Sequence, residues 1–452
     1  MTLPLTDLAA QLSGRLMLPH ETGFAAQFAG YNTAIIHTPQ AVVAAVNAGD
    51  VSATMRFANQ HGLRVAIHAT GHGTFAPVTS GLLITTGRLD HLKIDPTTRI
   101  ASIGAGVRWG AVIAAAATHG LAPISGSSAN VGVVGYLLGG GLGPLARSHG
   151  FGSDHLLGFT VVTGTGDSVE VEADADHHPD LFWALRGGKS GLGVVVAVRL
   201  RLIALRHLYA GSLWFAAPHI DSVLRQWIDW TRHADAQVTT SVAIIRFPQI
   251  DALPEKLRGQ HLLSLRFAYP GATAHGQRLA APLRAFAPVH LDDLGEMRAA
   301  DIARIHNDPS DPGPQWVRGQ LLRPLDQAFA DAVLAQLQAA ESAPFAMELR
   351  HLGAATTVDV PQGSAVGGRP TAFAVAFIAT DCSGGDTILR PISDRLLDTI
   401  APWAAAETNI NFTPVARSAA HLASAWSPAT AAKLATLRWR YDPLSVLTAV
   451  GL

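Results

Sequence analysis

The sequence is poor in cysteine, in charge and in long apolar runs, and each shortage excludes a class of protein. The 452 residues include a single cysteine, Cys382, so no disulfide can form within the chain. Charged residues make up 15% and the net charge is −1, which argues against nucleic acid or an anionic membrane surface as the partner. No uncharged apolar run reaches about 18 residues, and no basic stretch followed by an apolar run opens the chain. We therefore expect a cytoplasmic protein without a signal peptide or a membrane span.

What the sequence does contain is enough apolar material for a large core. Apolar residues make up 48% of a chain that is too long for one ordinary domain, so we expect two. Up to about residue 205, helix-like and strand-like runs alternate and glycine is dense. Beyond that point longer strand-like runs are separated by helices, which indicates one antiparallel sheet with helices on one side. The fold class that we predict is α+β.

Periodicity and turn residues place the predicted elements. In the first part we predict a helical pattern over 38–63 that ends at Gly62, a helix over 109–121, a short helix over 180–188 and a hairpin over 159–171. The predicted strands there are 64–69, 81–89, 99–107 and 193–205. In the second part the predicted strands are 210–217, 238–247, 261–269, 345–353 and 371–379, with a helix over 219–234 and a Pro- and Asp-rich loop over 307–314.

Three glycine clusters compete as cofactor loops. "GAGVRWG", 104–110, is close to a dinucleotide fingerprint, but no acidic residue follows about 20 positions later to hold a ribose. "GGGLG", 139–143, lacks the Lys-Ser/Thr of a P-loop. "HATGHG", 68–73, is a strand followed by a tight turn whose N–H groups suit a pyrophosphate. Its two histidines also have the four-residue spacing of zinc ligands on a helix, but the glycines argue against a helix there, and we predict no metal.

Five segments in order carry a resemblance to a known family. They are "RVAIHATGHG", "GSSANVGVVGYLLGGGLG", "GFGSDHLLGFTVVTGTGDSVEV", "DLFWALRGGKSGLGVVVAVRLRL" and "LATLRWRYDPLSVL". Together they resemble the berberine-bridge-enzyme-like flavoproteins of the PCMH-type, or vanillyl-alcohol-oxidase, superfamily, and most of all its bacterial nicotine-oxidase-like branch. The resemblance implies a PCMH-type FAD-binding domain over 1–205 and a substrate domain over 206–400, with an antiparallel sheet flanked by helices. Residues 401–452 are then expected to return to the FAD domain.

The resemblance also implies how FAD is held. In that family the histidine of the Gly-His turn is bonded to the 8α-methyl group of FAD, and His72 stands at its position. Many members have a second link from a cysteine where this chain has Ser128, whose hydroxyl cannot form that bond, so we expect a single link. A non-covalent cradle with an incidental histidine remains the alternative. The other residues expected at the cofactor are His68, Ala69, Thr70, Gly71, Gly73, Ser127, Gly132, Tyr136, Gly139, Gly140, Gly141, Val195 and Asn411.

The implied chemistry is the removal of a hydride from a C–H bond next to nitrogen or oxygen, with dioxygen or another acceptor reoxidising the flavin. In "TNINF", 408–412, Asn409 stands where many relatives have a catalytic tyrosine, which favours an amine over an alcohol as substrate. Glu348 is the expected base or the anchor of a substrate cation, and Arg350, on the same strand face, is expected to contact substrate. A surface pair of Glu348 with Arg350 is the alternative. Tyr136 is expected near the flavin, or else is a packed aromatic.

Two classes of function stay open on the sequence alone. The first is an FAD-linked oxidase or dehydrogenase of a small amine or alcohol. The second is a flavin-binding protein with a redox-neutral task such as a cyclisation, or with no chemistry, since the tyrosine is missing. In either case we expect a monomer or a homodimer.

Overall fold

The computed structural model describes residues 3–74, 76–173, 176–339, 345–380, 382, 385–415 and 418–448. Helices and strands alternate along most of this length, with several short 3-10 turns between them. The helices are α1 Leu5–Ala9, α2 Ala48–His61, α3 Trp109–Ala117, α4 Val133–Leu137, α5 Ala146–His149, α6 Pro179–Leu185, α7 Ile220–Thr231, α8 Thr273–Arg284, α9 Gln327–Ala339, α10 Gly385–Ile400, α11 Ala419–Ala423 and α12 Pro428–Tyr441. None of these helices is both long enough and apolar enough to cross a bilayer.

The strands fall into two groups along the chain. Those in the first 205 residues are β1 Arg15–Met17, β2 Ala41–Ala44, β3 Val65–His68, β4 Leu82–Thr85, β5 Leu92–Asp95, β6 Ile100–Gly104, β7 Leu121–Ala122, β8 Leu156–Val162, β9 Ser168–Val171, β10 Val194–Arg201 and β11 Ile203–Ala204. Those that follow are β12 His207–Ala216, β13 Thr239–Arg246, β14 His261–Tyr269, β15 Leu291–Asp292, β16 Gly295–Arg298, β17 Trp316–Leu322, β18 Phe345–His351 and β19 Phe373–Ala379.

The His72 turn follows the last strand of a small, mostly parallel sheet. Its order is β1-β2-β4-β3, with β2, β4 and β3 parallel. The prediction of a helical pattern over 38–63 was wrong at its start, because Ala41–Ala44 is strand β2 and is buried at every position. A short apolar run that is buried on both faces has no periodicity to separate strand from helix. The helical part was right: α2 ends at His61, and Gly62 follows with the left-handed φ of 63°.

The second sheet of the first part has the order β5-β6-β10-β8-β9 and is antiparallel. The predicted hairpin is confirmed, with Val162 opposite Ser168. Helix α12, from the far end of the chain, packs into the same core. Its spaced residues Leu434, Leu437 and Tyr441 are all buried there, as the helical spacing predicts.

The third sheet has eight strands, all antiparallel, in the order β15-β12-β14-β13-β18-β19-β17, with β16 on β12. One of its faces is apolar and packs against α7, α9 and α10 in a second core, which confirms the predicted antiparallel sheet flanked by helices. The opposite face turns toward the first part of the molecule. Strand β11 pairs with β7, and β12 starts three residues later, but the domain limits at 205 and 400 stay predictions.

Candidate active site

The 68–74 turn is built on a close approach between two backbone segments. Strand β3 ends at His68, and Gly71 has a φ of 73°, which side chains rarely adopt. A Cβ at Gly71 would lie 2.5 Å from the Cα of Gly30, so only glycine fits. The N–H of Tyr31 donates to the carbonyl of Thr70 (2.9 Å), and the N–H of Gly132, just before α4, donates to the Thr70 hydroxyl (3.3 Å). The turn is therefore held between two other loops.

His72 occupies this turn with one ring nitrogen free. Its ring stacks on Tyr31 at 3.8 Å between centroids, and Nδ1 lies 3.0 Å from the Thr70 hydroxyl. Nε2 is buried and has no hydrogen-bond partner in the described part of the chain. Burial, helped by Arg108, lowers the pKa of His72 to about 4, so the ring is neutral at physiological pH. When the Thr70 oxygen accepts from Nδ1–H, Nε2 carries the lone pair.

The glycine loop 139–143 meets the segment that holds Asn411. The amide nitrogen of Asn411 donates to the carbonyls of Tyr136 (2.9 Å) and Gly139 (3.3 Å). A Cβ at Gly139 would lie 2.1 Å from the Asn411 amide oxygen, so this glycine permits the approach. Asn409 is also buried, and its side-chain oxygen accepts from the N–H of Asn411 (2.9 Å), which caps the short helical turn there.

Lys189 belongs to this group of residues, and the sequence analysis missed it. Its Nζ donates to the Asn411 amide oxygen (2.7 Å) and to the carbonyl of Gly135 (2.9 Å). A Cβ at Gly73 would lie 3.9 Å from the same Nζ, so the ammonium group also borders the His72 turn. Burial lowers the pKa of Lys189 to about 8, which leaves it largely charged at neutral pH. Its only sequence signal was a lysine between the glycines of "GGKSGLG", in a loop far from both partners.

Tyr136 lies inside a cage of glycines. A Cβ at Gly126, Gly141 or Gly143 would come within 3.1 Å of its ring or hydroxyl, and Trp109 meets the ring edge-on at 5.5 Å. The hydroxyl is buried without a partner among the described residues, and burial raises the pKa of Tyr136 well above its usual value. The ring of Tyr136 is thus packed on its neighbours, whereas its hydroxyl group is available for a hydrogen bond to a ligand.

The other residues predicted at the cofactor are more scattered. The Ser128 hydroxyl accepts weakly from the N–H of Asn130 (3.4 Å). Gly140 has a φ of 90°, and a Cβ added there would lie 3.2 Å from the Phe151 ring. Val195 is a core residue in β10, paired with Val161. Ala69 and Gly73 lie in the 68–74 turn, and Ser127 lies in the loop between β7 and α4. The structure therefore brings together the turn, α4 and the glycine loop, with Val195 in strand β10, which contacts α4.

The face of the large sheet opposite the helices carries a buried ion network. Glu348 Oε1 lies 2.5 Å from Arg266 Nη1, and Glu348 Oε2 accepts from Arg350 Nε at 2.8 Å. Glu348 is 6% exposed, so its pair with Arg350 is not on the surface. Burial alone would raise the pKa of Glu348, but Arg350 and Arg266 outweigh it and hold the pKa below its usual value. The carboxylate is therefore ionised and already doubly paired.

His306 also reaches this network, and nothing in the sequence pattern pointed to it. Its Nε2 lies 3.5 Å from Glu348 Oε1, and neither ring nitrogen has a hydrogen-bond partner in the described residues. Burial lowers the pKa of His306 well below 6.5, and Arg266 and Arg350 lower it further. The ring is thus neutral, and its contact with Glu348 is not an ion pair.

A cleft opens between this sheet face and the end of the glycine loop. The space in it that a water-sized sphere can reach is about 20 Å³, roughly the room of one water molecule. Leu142 and Gly143 line one side, and Ser241, Arg266, His306 and Arg350 line the other. Arg350 also donates to the carbonyl of Leu142 (3.2 Å) and lies over the Phe412 ring at 4.8 Å. The cleft is therefore bordered by both parts of the chain.

Comparison with known proteins identifies the class of the first part. Residues 39–172, a stretch that includes the His72 turn, match the sequence profile of the FAD binding domain family. The predicted resemblance to FAD-linked oxidoreductases of the nicotine-oxidase-like type agrees with this match and with the curated relatives, and the berberine-bridge-enzyme-like proteins of known structure share the fold.

The most similar relatives that we compared are oxidases or proteins that share their fold. The chain is 34% identical to (R)-6-hydroxynicotine oxidase of Paenarthrobacter nicotinovorans over 216 residues, 47% of each protein. It spans about half the length of the curated relatives that it matches. The crystal structure of 6-hydroxy-D-nicotine oxidase from Arthrobacter nicotinovorans superposes with a TM-score of 0.83 at 23% identity, covering 96% of both chains. The berberine-bridge-enzyme-like protein 1 of Physcomitrella patens gives 0.85 at 16% identity, covering 99% of this chain and 98% of the other. At these identities the superpositions establish the shared fold.

Proposed function

We propose that the protein is an FAD-linked oxidoreductase that removes a hydride from a C–H bond next to nitrogen or oxygen in a small amine or alcohol. The observation that carries the proposal is the His72 turn, where a neutral histidine presents a buried, unpartnered Nε2 inside an FAD-binding domain. A buried polar atom without a partner costs about 1–3 kcal/mol, which a bond to a ligand at that atom removes. The residues present therefore fit covalent FAD.

FAD, when bound, supplies the two-electron acceptor, and the chain supplies position and charge. His72 is the proposed point of attachment, with the Thr70 hydroxyl fixing its ring. Lys189 and Asn411 place a positive charge and an amide beside the same turn. Ser128 offers a hydroxyl and no thiolate, so one link is expected.

A group on the polar sheet face takes the proton that a departing hydride leaves behind. Glu348 is the proposed acceptor, since its carboxylate is ionised and is hydrogen-bonded to Arg266 and Arg350, which both line the cleft. His306 is the second candidate, because it is neutral and both of its ring nitrogens lack partners among the described residues. The amide of Asn409 cannot act as a base. We propose that Asn409 only orients Asn411 and the substrate.

The attachment is tested by denaturing the purified protein in acid. We expect the flavin to precipitate with the protein and to add its mass to the peptide that contains His72. His72→Ala should abolish the attachment, whereas His68→Asn, at the other histidine of the same turn, should leave the mass shift in place. Flavin in the supernatant of the parent protein would contradict the covalent link.

The oxidoreductase activity is tested separately, by adding candidate amines and alcohols without oxygen and watching the visible flavin absorbance. Bleaching supports the proposal, and peroxide release on admitting air identifies dioxygen as the acceptor. A flavin that no substrate class reduces, in a protein that still converts one of them, would favour the redox-neutral alternative. The cytoplasmic location and the monomeric or homodimeric state stay predictions.

A further inference from the structure

The polar face of the large sheet is organised in two rows across the strands. One row contains Ser212, Arg266, Ser241 and Arg350, which stand directly opposite one another on β12, β14, β13 and β18. The neighbouring row contains Trp214, Ser264, Ala243 and Glu348 on the same four strands. Because opposite residues in antiparallel strands share a face, these side chains form one surface.

Charge on this surface is unbalanced. Two arginines meet one carboxylate, and both oxygens of Glu348 are occupied by guanidinium groups. His306 is neutral and therefore does not change the net charge of this group. Asp308, another carboxylate whose charge acts on Arg350, is exposed to solvent. The buried network therefore keeps about one uncompensated positive charge.

Several buried polar groups on the same surface have no hydrogen-bond partner in the described part of the chain. Arg266 Nε, the Ser241 and Ser264 hydroxyls and both nitrogens of His306 are buried without partners in the described part of the chain. The side chains of Arg266 and His306 are only 6% and 5% exposed. Buried polar groups in folded proteins are satisfied in the great majority of cases, so such a cluster indicates a missing partner. Arg266, Ser241 and His306 all line the cleft at Leu142 and Gly143.

We propose that this cleft binds an ionised acidic group of the substrate, a carboxylate, with Arg266 Nε–H and the Ser241 hydroxyl as donors. A carboxylate brings acceptor oxygens and the negative charge that the surface lacks, and hydrogen bonds to charged groups are the strong ones. A substrate ammonium group placed here meets two guanidinium groups and no free carboxylate. This inference rests on the proposed function, and it narrows the substrate to an amine or alcohol that also carries an acid.

Binding to the FAD-loaded protein tests the inference without turnover. Benzoate, methyl benzoate and benzylammonium are titrated by calorimetry against the same preparation. We expect benzoate to bind at least about tenfold more tightly than its methyl ester, and benzylammonium not to compete with it. Equal affinity for benzoate and the ester would overturn the inference. Competition by inorganic phosphate as strong as that by benzoate itself would also overturn it, since the cleft would then be a general anion site.

Variants locate the binding. Arg266→Gln should lower benzoate affinity at least about tenfold and leave methyl benzoate unchanged. Because Arg266 also pairs with Glu348, Ser241→Ala serves as a second variant that keeps every charge and should weaken benzoate several-fold. Arg225→Gln, in an exposed ion pair on α7 behind the sheet, is the control and should change nothing. Benzoate affinity unchanged in both Arg266→Gln and Ser241→Ala would place the acid elsewhere. A flavin that is never reduced would contradict the proposed function while leaving this binding result intact.

Discussion

At the scale of single residues, Glu348 and His306 are the two candidate proton acceptors, and we expect Glu348 to be the more important one. We expect Glu348→Gln to slow anaerobic flavin reduction by about 10²–10⁴-fold, the usual effect of losing a positioned base. His306→Gln should slow it less than about tenfold. Because the two arginines hold the pKa of Glu348 below its ordinary value of 4.5, Glu348 itself should cause no change in the parent rate between pH 8 and about 5. Stopped-flow absorbance gives these rates, and the reverse order of the two variants would transfer the role to His306.

Which site residues the sequence reveals depends on how local their signal is. The His72 turn could be predicted because strand, glycine and histidine are adjacent in the chain, and the close approach to Gly30 explains why glycine is needed there. Lys189 and His306 could not be predicted, because their partners are far away in sequence. Their contacts form only when the fold brings separate segments of the chain together. The ionic partner Arg266 was hidden for the same reason, since cross-strand pairing alone brings it to Glu348.

At the scale of elements, one strand that escaped prediction has a charged residue in its interior. No strand was assigned to 316–322, where "WVRGQLL" contains an arginine and a glycine, yet this is β17 at one end of the large sheet. Arg318 is tolerated there because Asp394 (2.5 Å), Ser393 and the carbonyl of Val415 receive its donors. A pattern of alternating apolar residues cannot anticipate a charge that is satisfied by a later helix.

Helix α12 offers a matched pair of arginines for a test at this scale. Arg438 is buried and donates to the carbonyls of Gly188 (3.0 Å) and Ser190 (3.1 Å), so it fixes the loop that carries Lys189. Arg438→Ala leaves both carbonyls without that donor, and at about 1–3 kcal/mol each we expect the melting temperature to fall by about 5–10 °C. The fraction of chains that acquire flavin should fall as well.

Arg440→Ala is the control for that variant. Arg440 is 65% exposed and pairs with Asp180 at the surface, so its loss should shift the melting temperature by less than about 2 °C and leave flavin content unchanged. Calorimetry and the ratio of flavin to protein absorbance measure both effects. Equal melting temperatures and flavin contents in the two variants would show that the contacts of Arg438 with the Lys189 loop do not stabilise the protein more than the surface pair of Arg440 does.

At the scale of the whole molecule, the change of strand pattern near residue 205 was visible in the sequence, but the contacts between the segments on either side of it were not. The loop predicted over 307–314 is confirmed as irregular, and it crosses to the cofactor side. Pro309 accepts from the Tyr31 hydroxyl (2.7 Å), and Ser310 accepts from the amide of Asn130 (2.9 Å). Composition identified the loop because proline and aspartate disfavour regular structure, but composition carries no information on where a loop docks.

Buried neutral histidines should make the stability of the whole protein sensitive to mild acid. Burial, with a contribution from Arg147, lowers the pKa of His351 to about 3 from its ordinary 6.5. The unfolded chain therefore takes up this proton first as the pH falls below 6.5, and stability is lost by about 1.4 kcal/mol per pH unit down to the folded pKa. His351→Gln removes that loss and can still accept from Arg147, which contacts His351 Nε2 at 3.1 Å. We expect the variant to lose about 2 kcal/mol less than the parent between pH 6.5 and 5, in urea unfolding followed by tryptophan fluorescence. His233→Gln, at an exposed position, should track the parent at both pH values, and a His351→Gln variant that did the same would mean that His351 takes up its proton without unfolding.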